Sequence, residues 1–285
     1  MPRIAYVNGR FVPFAEAEVH IEDRGYQFAD AVYEVLSVTA GRFLDEDAHW
    51  ARLGRSLGEL GIGWPVREAA LRQIVRETVR RNRVTHGLVY LQVSRGVAPR
   101  DHAPPVPPPV PSLVITVRRS DPARAVRVLT KGLSVIGQPD LRWQRCDIKT
   151  VGLLPNVMAI AAAKAAGADD AWLMDSNGFV TEATRSNCWI VDKEGTLVTR
   201  GLDTHILHGV TRAMLFDIAA DLGRRVVERA FTLEEAKGAR EAFMSASSLQ
   251  VSPVVRIDGT PVGPGTPGEV AKSLREHYLK VRTPS

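Results

Sequence analysis

The chain opens on alternating apolar and polar positions. Ile4-Ala5-Tyr6-Val7 and Arg10-Phe11-Val12 flank Asn8-Gly9, a dipeptide that tolerates positive φ at both central positions of a tight turn, so a β-hairpin is expected first. Residues 32–39 (VYEVLSVT) are β-branched and alternating and predict a strand, followed by a turn at Ala40-Gly41 and a short strand over 42–44. The period then changes. Trp50, Leu53, Leu57 and Leu60 recur at three and four, the apolar stripe of a helix ending near Gly61. A second helix is expected from about Pro65, carrying Leu71, Ile74, Val75 and Val79 inward. Residues 87–95 and 112–118 read as strands around a proline-rich loop at 104–111.

The second half mixes the same two periods. An Ala-rich helix is predicted over 156–166, with strands at 171–174 and 179–181 around Ser176-Asn177-Gly178 and a hairpin of 188–191 with 196–199. An amphipathic helix over 210–222 precedes a strand at 225–228, and Thr232-Leu233-Glu234-Glu235 is a capping box. Strands at 242–245 and 254–258 and a helix over 270–281 complete the pattern. Residues 119–125 (RSDPARA) are polar and contain proline, so they read as a linker. The expected organisation is an α/β (α+β) chain of two domains: a small N-terminal α/β domain at 1–118, the linker at 119–125, and a larger C-terminal domain at 126–285.

Composition narrows the class. The chain has 285 residues, 45% hydrophobic and 24% charged, an ordinary globular balance that excludes disordered and collagenous classes. Its 37 basic and 32 acidic residues leave +5, and no run of like charge marks a nucleic-acid surface. Thirty of the 37 are arginine, so no single arginine is informative without a motif around it. Cys146 and Cys188 match no zinc or redox spacing, as expected in a reducing compartment. No apolar run approaches a membrane span and no signal peptide is read; the expectation is a cytoplasmic protein with no metal, nucleic-acid or membrane partner.

Two literal motifs fail on context. Gly263-Pro264-Gly265-Thr266-Pro267-Gly268 matches G-x-G-x-x-G, but its prolines obstruct the helix start and too little chain follows for a βαβ unit. The proline cluster reads as a stiff surface loop. Walker, H-E-x-x-H and G-x-S-x-G patterns are absent.

The chemistry-bearing segment is residues 141–156, LRWQRCDIKTVGLLPN. Lys149 follows Ile148 and precedes Val151-Gly152-Leu153-Leu154. A lysine in apolar sequence either snorkels to solvent or is kept for its amine, which can form a Schiff base. Downstream, residues 179–187 (FVTEATRSN) end a strand on Glu182 and continue in small polar residues. Together with residues 22–35 (EDRGYQFADAVYEV), Arg52-Leu53 and 95–102 (RGVAPRDH), these motifs resemble, in the same order and over nearly the whole chain, the fold-type IV pyridoxal-phosphate transaminases.

That resemblance implies a two-domain fold whose larger C-terminal part is β-barrel-like, and it implies roles. Lys149 would hold pyridoxal 5'-phosphate as a Schiff base and move the substrate proton. Glu182 would face the pyridine nitrogen. Arg52 would grip the phosphate, together with Leu207, Val210 and Thr211 around a helix N-terminus and Ser247 in the cluster 245–248. Tyr33 and the Arg100-x-His102 loop would bind the substrate carboxylate. The loop and Tyr33 resemble the D-amino-acid transaminase branch, where the loop is contributed across a homodimer interface. The expected reaction therefore moves an amino group between a D-amino acid, such as D-alanine or D-glutamate, and a 2-oxo acid.

The alternatives within the fold are an (R)-selective amine transaminase, a branched-chain L-amino-acid transaminase and aminodeoxychorismate lyase. A basic nucleic-acid-binding protein is the remote one. Three departures from the family pattern stand out. Ala29 and Ala31 replace glycines, implying that positive φ is not needed there. The proline density after His102 is unusual. Arg185 stands where the family often has serine, next to Ser186; it could grip phosphate, bind a second carboxylate or point outward.

Overall fold

The computed structural model describes residues 3–282. The chain folds as two compact units: one extends to Ser120 and takes in Ile148–Gly152, the other comprises Asp121–Asp147 and the chain from Leu153 onward.

The first unit begins with β1 (Ile4–Val7) and β2 (Arg10–Pro13). Their turn places Asn8 at φ 44 and Gly9 at φ 93, the paired positive φ that the hairpin requires. A short helix α1 (Arg24–Phe28) leads into β3 (Ala31–Thr39) and β4 (Arg42–Phe43), then α2 (Glu46–Glu59), α3 (Glu68–Asn82), β5 (Gly87–Ser94) and β6 (Ser112–Arg119). The strands form one antiparallel sheet in the order β2-β1-β6-β5-β3-β4. Leu36, Leu91 and Ile115 of the sheet are buried with Trp50, Leu53 and Leu57 of α2 and Leu71 and Val75 of α3, each such side chain worth about 1.5–3 kcal/mol of transfer free energy. Ile148 belongs to the same core.

The second unit opens with α4 (Pro122–Lys131) and β7 (Leu133–Pro139), then α5 (Leu154–Ala165), β8 (Asp170–Met174), β9 (Val180–Ala183), β10 (Asn187–Val191) and β11 (Leu197–Thr199). After these come α6 (Val210–Asp221), β12 (Val226–Glu228), α7 (Leu233–Lys237), β13 (Glu241–Ala246), β14 (Gln250–Ile257), β15 (Thr260–Pro261) and α8 (Glu269–Arg282). β7 and β8 are parallel, with α5 in the connection between them, as a parallel pair requires. Following the pairings from β7 through β8, β9, β10, β13 and β14 returns to β7, so six strands close into a ring; β11 and β12 continue outward from β10. The pair Asn187↔Glu182 joins β10 to β9 and closes it. β9 and β10 are buried at every position, as strands covered on both faces are.

The literal glycine motif serves α8 in another way. Val270 N–H and Ala271 N–H donate to the two carboxylate oxygens of Glu241, each at 3.0 Å, so a protein anion already occupies that helix N-terminus. A Cβ on Gly268 would overlap the Glu241 side chain.

Four expectations change. Residues 119–125 are not an irregular linker: β6 runs to Arg119 and α4 starts at Pro122, because the Asp121 side chain caps Ala123 N–H and proline fits the first helical turn. The chain also returns to the first unit at Ile148–Gly152, drawn by burial of Ile148. α3 starts at Glu68 rather than Pro65, because Arg67 is extended at ψ 140. Ala29 does adopt positive φ (56), as the left-handed residue that ends α1, so alanine bears a conformation that glycine would take without strain.

Replacing Gly268 by alanine is expected to cost about 1–3 kcal/mol, because the buried Glu241 carboxylate must leave the N–H groups it satisfies. Urea unfolding should show a lower midpoint at unchanged slope.

Candidate active site

In the first unit the candidate amine is anchored by its backbone. Tyr33 N–H donates to the Lys149 carbonyl at 3.0 Å, Val151 N–H to the Ala31 carbonyl at 3.2 Å, and Val32 pairs with Thr150. Lys149 N–H reaches the Ser56 hydroxyl at 3.3 Å. The side chain is half-buried, with Nζ 4.3 Å from the centre of the Tyr33 ring. Tyr33 stacks on Tyr90 at 5.5 Å, whose phenol is pushed up to about 12 by burial and by the neighbouring Tyr33. Lys149 and Tyr33 are thus brought together.

Arg52 lies on the face of α2 that meets β3. Its Nε and Nη2 donate to the two carboxylate oxygens of Glu34 at 2.7 and 2.9 Å, and His49 Nδ1 lies 2.8 Å from Glu34 Oε2. Glu34 has no exposure at all and Arg52 is 9% exposed. Burial pushes the Glu34 carboxyl up, but Arg52 and His49 outweigh it and hold it far below the carboxylate range. Sequence reading misses both Glu34 and His49. A signal for the first is present: Glu34 falls on the inward phase of an alternating strand, between Val32 and Leu36.

Arg100 and His102 share one aromatic platform. The Arg100 guanidinium sits 4.6 Å from the Phe28 ring centre and the His102 ring packs against it edge-on at 5.5 Å. Buried Arg24 shapes the loop, donating to the carbonyls of Asp101 at 2.6 Å and His102 at 3.2 Å and pairing with Asp30 at 2.8 Å. Asp30 also takes two bonds from Arg95. Burial raises its pKa, but the two arginines hold it below the ordinary value.

In the second unit Glu182 is 5% exposed. Its Oε1 accepts from Asn187 Nδ2 at 2.8 Å and from Leu207 N–H at 3.0 Å, and its Oε2 accepts from Arg142. Leu207 therefore acts through its backbone. Asn187 packs so closely on Gly209 that a Cβ there would overlap its amide oxygen. Gly209 begins α6 without a side-chain cap, which leaves the first-turn N–H groups around buried Val210 and Thr211 as anion donors. Ser245 is buried and accepts from Trp189 Nε1 at 3.0 Å. Ser247, in the turn to β14, is half-buried, and its carbonyl takes the Gln250 amide. Arg185 is 58% exposed and lies 3.7 Å from Asp170; half-buried Ser186 gives its carbonyl to Ala183 N–H at 2.9 Å. Arg142, Asp140 and Asn187 are not singled out by the sequence, and among thirty arginines nothing marks Arg142.

Within the second unit, a buried carboxylate and an uncapped helix N-terminus fit the ring nitrogen and the phosphate of a phosphorylated pyridine aldehyde; within the first, Lys149 carries an amine of the kind that forms a Schiff base with such an aldehyde.

Residues 31–257 match the family model described as amino-transferase class IV. A D-alanine aminotransferase of Bacillus licheniformis is 38% identical over 270 residues, 94% of this chain and 93% of that protein. One from Staphylococcus haemolyticus is 37% identical over 277 residues, 96% of each. The solved branched-chain amino acid aminotransferase of T.th., with pyridoxamine 5'-phosphate, superposes with a TM-score of 0.90 at 27% identity, covering 99% of this chain and 95% of that one.

Replacing Glu34 by glutamine is expected to cost about 3–5 kcal/mol at neutral pH, because it leaves Arg52 buried without its counter-charge. The folded-state pKa of Glu34 is depressed, so its contribution is present above the unfolded value of about 4.3 and is lost as pH falls below it. Denaturant midpoints measured across pH should show the gap between wild type and variant narrowing from about pH 5 downward.

Proposed function

Because the chain belongs to the class IV aminotransferases, we propose that it is a pyridoxal-phosphate-dependent D-amino-acid transaminase, exchanging an amino group between D-alanine or D-glutamate and a 2-oxo acid in two half-reactions. The observation that carries this reading is Lys149, a half-buried amine whose backbone is fixed to the start of β3 and whose Nζ faces Tyr33. The identity to D-alanine aminotransferases over nearly the full length supports the branch.

When bound, pyridoxal phosphate supplies the electron sink for a substrate carbanion. Lys149 would hold it, and its Nζ would take and return a proton at the substrate Cα. Glu182, paired with Arg142 and oriented by Asn187 and Leu207 N–H, would face the ring nitrogen and hold a proton there. In the second unit the first turn of α6 at Val210 and Thr211 would offer N–H donors to the phosphate, with Ser247 as a further donor, and in the first unit Arg52 would offer it a fixed positive charge. Tyr33 restricts the rotamers of the amine. Arg100 and His102 bind the substrate carboxylate from the loop that Arg24 shapes. Arg185, exposed and beside Asp170, is assigned no substrate contact. We also read the enzyme as a cytoplasmic homodimer; among the described residues no helix is long and apolar enough to cross a membrane.

Reconstituted wild-type protein is expected to show a visible cofactor band, and K149A to lose it with a fall in turnover of about 10²–10⁴-fold. With 2-oxoglutarate as acceptor, D-alanine should be the donor rather than L-alanine or L-leucine. A wild type that stays colourless with added cofactor sinks the reading, whereas preference for L-leucine selects the branched-chain branch seen among its structural neighbours. Gly209→Ala is expected to weaken cofactor binding, measured by equilibrium titration, by displacing Asn187 from Glu182.

A further inference from the structure

Arg142 spends its guanidinium on two carboxylates. Nε and Nη2 donate to the oxygens of Asp140 at 2.9 and 2.7 Å, while Nη1 is bonded to Glu182 Oε2. Nη2 also reaches the Thr181 hydroxyl at 3.3 Å and the His205 carbonyl at 3.0 Å. The Arg142 side chain is 8% exposed, that of Asp140 10% and that of Glu182 6%, so solvent screens this row weakly. Thr181 Oγ1 lies 2.6 Å from Asp140 Oδ2 and holds that end in place.

The two thiols near the row add no charge of their own. The Cys146 thiol is pushed up to about 12, first by burial and then by Asp140 and Glu182, against the pull of Arg142. Burial raises Cys188 as well, with Glu182 and Asp170 adding to it. Both thiols are neutral at physiological pH. Asp170, the other acid acting on Cys188, is bonded to the Thr184 hydroxyl at 2.5 Å and lies beside Arg185. Arg142 is the cation bonded directly to Glu182, and Asp140 is the acid that shares it.

We propose that Arg142 is a positioning residue that makes Glu182 a weak base, so that a proton shared between Glu182 and the ring nitrogen stays on the nitrogen, and that Asp140 moderates this by taking part of the Arg142 charge. The inference rests on the pyridoxal-phosphate reading above. Its sign follows from distance. Arg142 and Asp140 act on Glu182 through direct or next-neighbour contact, whereas any nitrogen that Glu182 partners lies at least one hydrogen bond further away. A charge change in the row therefore alters the basicity of Glu182 more than that of the nitrogen. No atom is gained or lost; one proton moves between a carboxylate oxygen and a ring nitrogen.

The two members of the row then have opposite effects, which a merely structural role would not produce. The test loads wild type, R142Q, R142K and D140N with pyridoxal phosphate labelled with ¹⁵N in the ring and reads the nitrogen chemical shift at neutral pH. Wild type should show a protonated nitrogen. R142Q should shift the proton distribution about tenfold toward Glu182, moving the signal toward neutral pyridine, since an opposite charge in direct contact is worth about one to three pKa units. R142K should recover most of the shift, and D140N should keep or increase nitrogen protonation. The inference is overturned if R142Q retains the wild-type signal, or if R142Q and D140N both move toward neutral pyridine. Should R142Q fail to fold by circular dichroism, R142K and D140N decide: a loss of nitrogen protonation in D140N, or one in folded R142K as large as the tenfold change expected of R142Q, overturns it. A wild type that takes up no label is a different failure, of the proposed function itself, and is recognised by the absent cofactor signal in every sample.

Discussion

A carboxylate that closes a ring of strands must be brought in almost without water, and the second unit is arranged around that cost. Glu182 and Asn187 are register partners where β9 meets β10. The backbone pair that completes the ring therefore also delivers a charged side chain to a site that is 5% exposed. An ionised carboxylate there is costly unless each oxygen is hydrogen-bonded and its charge is opposed. Asn187, Leu207 N–H and Arg142 meet that condition from three separate segments. Gly209 follows from it too, since only a residue without Cβ leaves Asn187 room to point its amide at Glu182. One charge requirement thus fixes a strand pair, a loop backbone, an arginine and a glycine.

The first unit solves the reverse problem by the same physics. Here a buried arginine, Arg52, is matched to a carboxylate, Glu34, that never meets solvent. The two-pronged contact uses one edge of the guanidinium and fixes its plane. A surface arginine would keep its rotamer freedom and lose entropy on gripping an anion. Arg52 has already lost it on folding.

The sequence is most legible where periodicity and turn chemistry agree. The first hairpin, α2, the hairpin of 188–191 with 196–199 and the capping box at Thr232 follow from spacing alone, and Lys149 and Glu182 stand out because a family pattern surrounds them. The linker misleads because Asp-Pro looks like a break but is also a good helix start, and only burial of Ile148 shows that the Lys149 segment returns to the first unit. Ala29 misleads for a related reason: residue type reports where a left-handed backbone is cheap, not where the fold imposes it. Arg142, Asn187 and Asp140 are invisible because their partners lie far along the chain or in a loop without periodicity. Glu34 is legible in principle, since a charge on the apolar phase of a strand requires a partner.

The abundance of arginine, uninformative as composition, becomes intelligible in these pairs. Arg52 on Glu34, Arg24 and Arg95 on Asp30, and Arg142 on Asp140 and Glu182 each match a planar fork to one or more carboxylates. A guanidinium keeps its charge at any physiological pH and grips in a fixed plane, so it suits a permanent counter-charge in a poorly solvated place. Lysine differs on both counts: its amine gives up a proton when its surroundings favour it and its three donors rotate freely. Within its own unit Lys149 faces the Tyr33 ring and not an acid. The fold thus pairs its poorly solvated carboxylates with arginines of constant charge and sets Lys149 against an aromatic face.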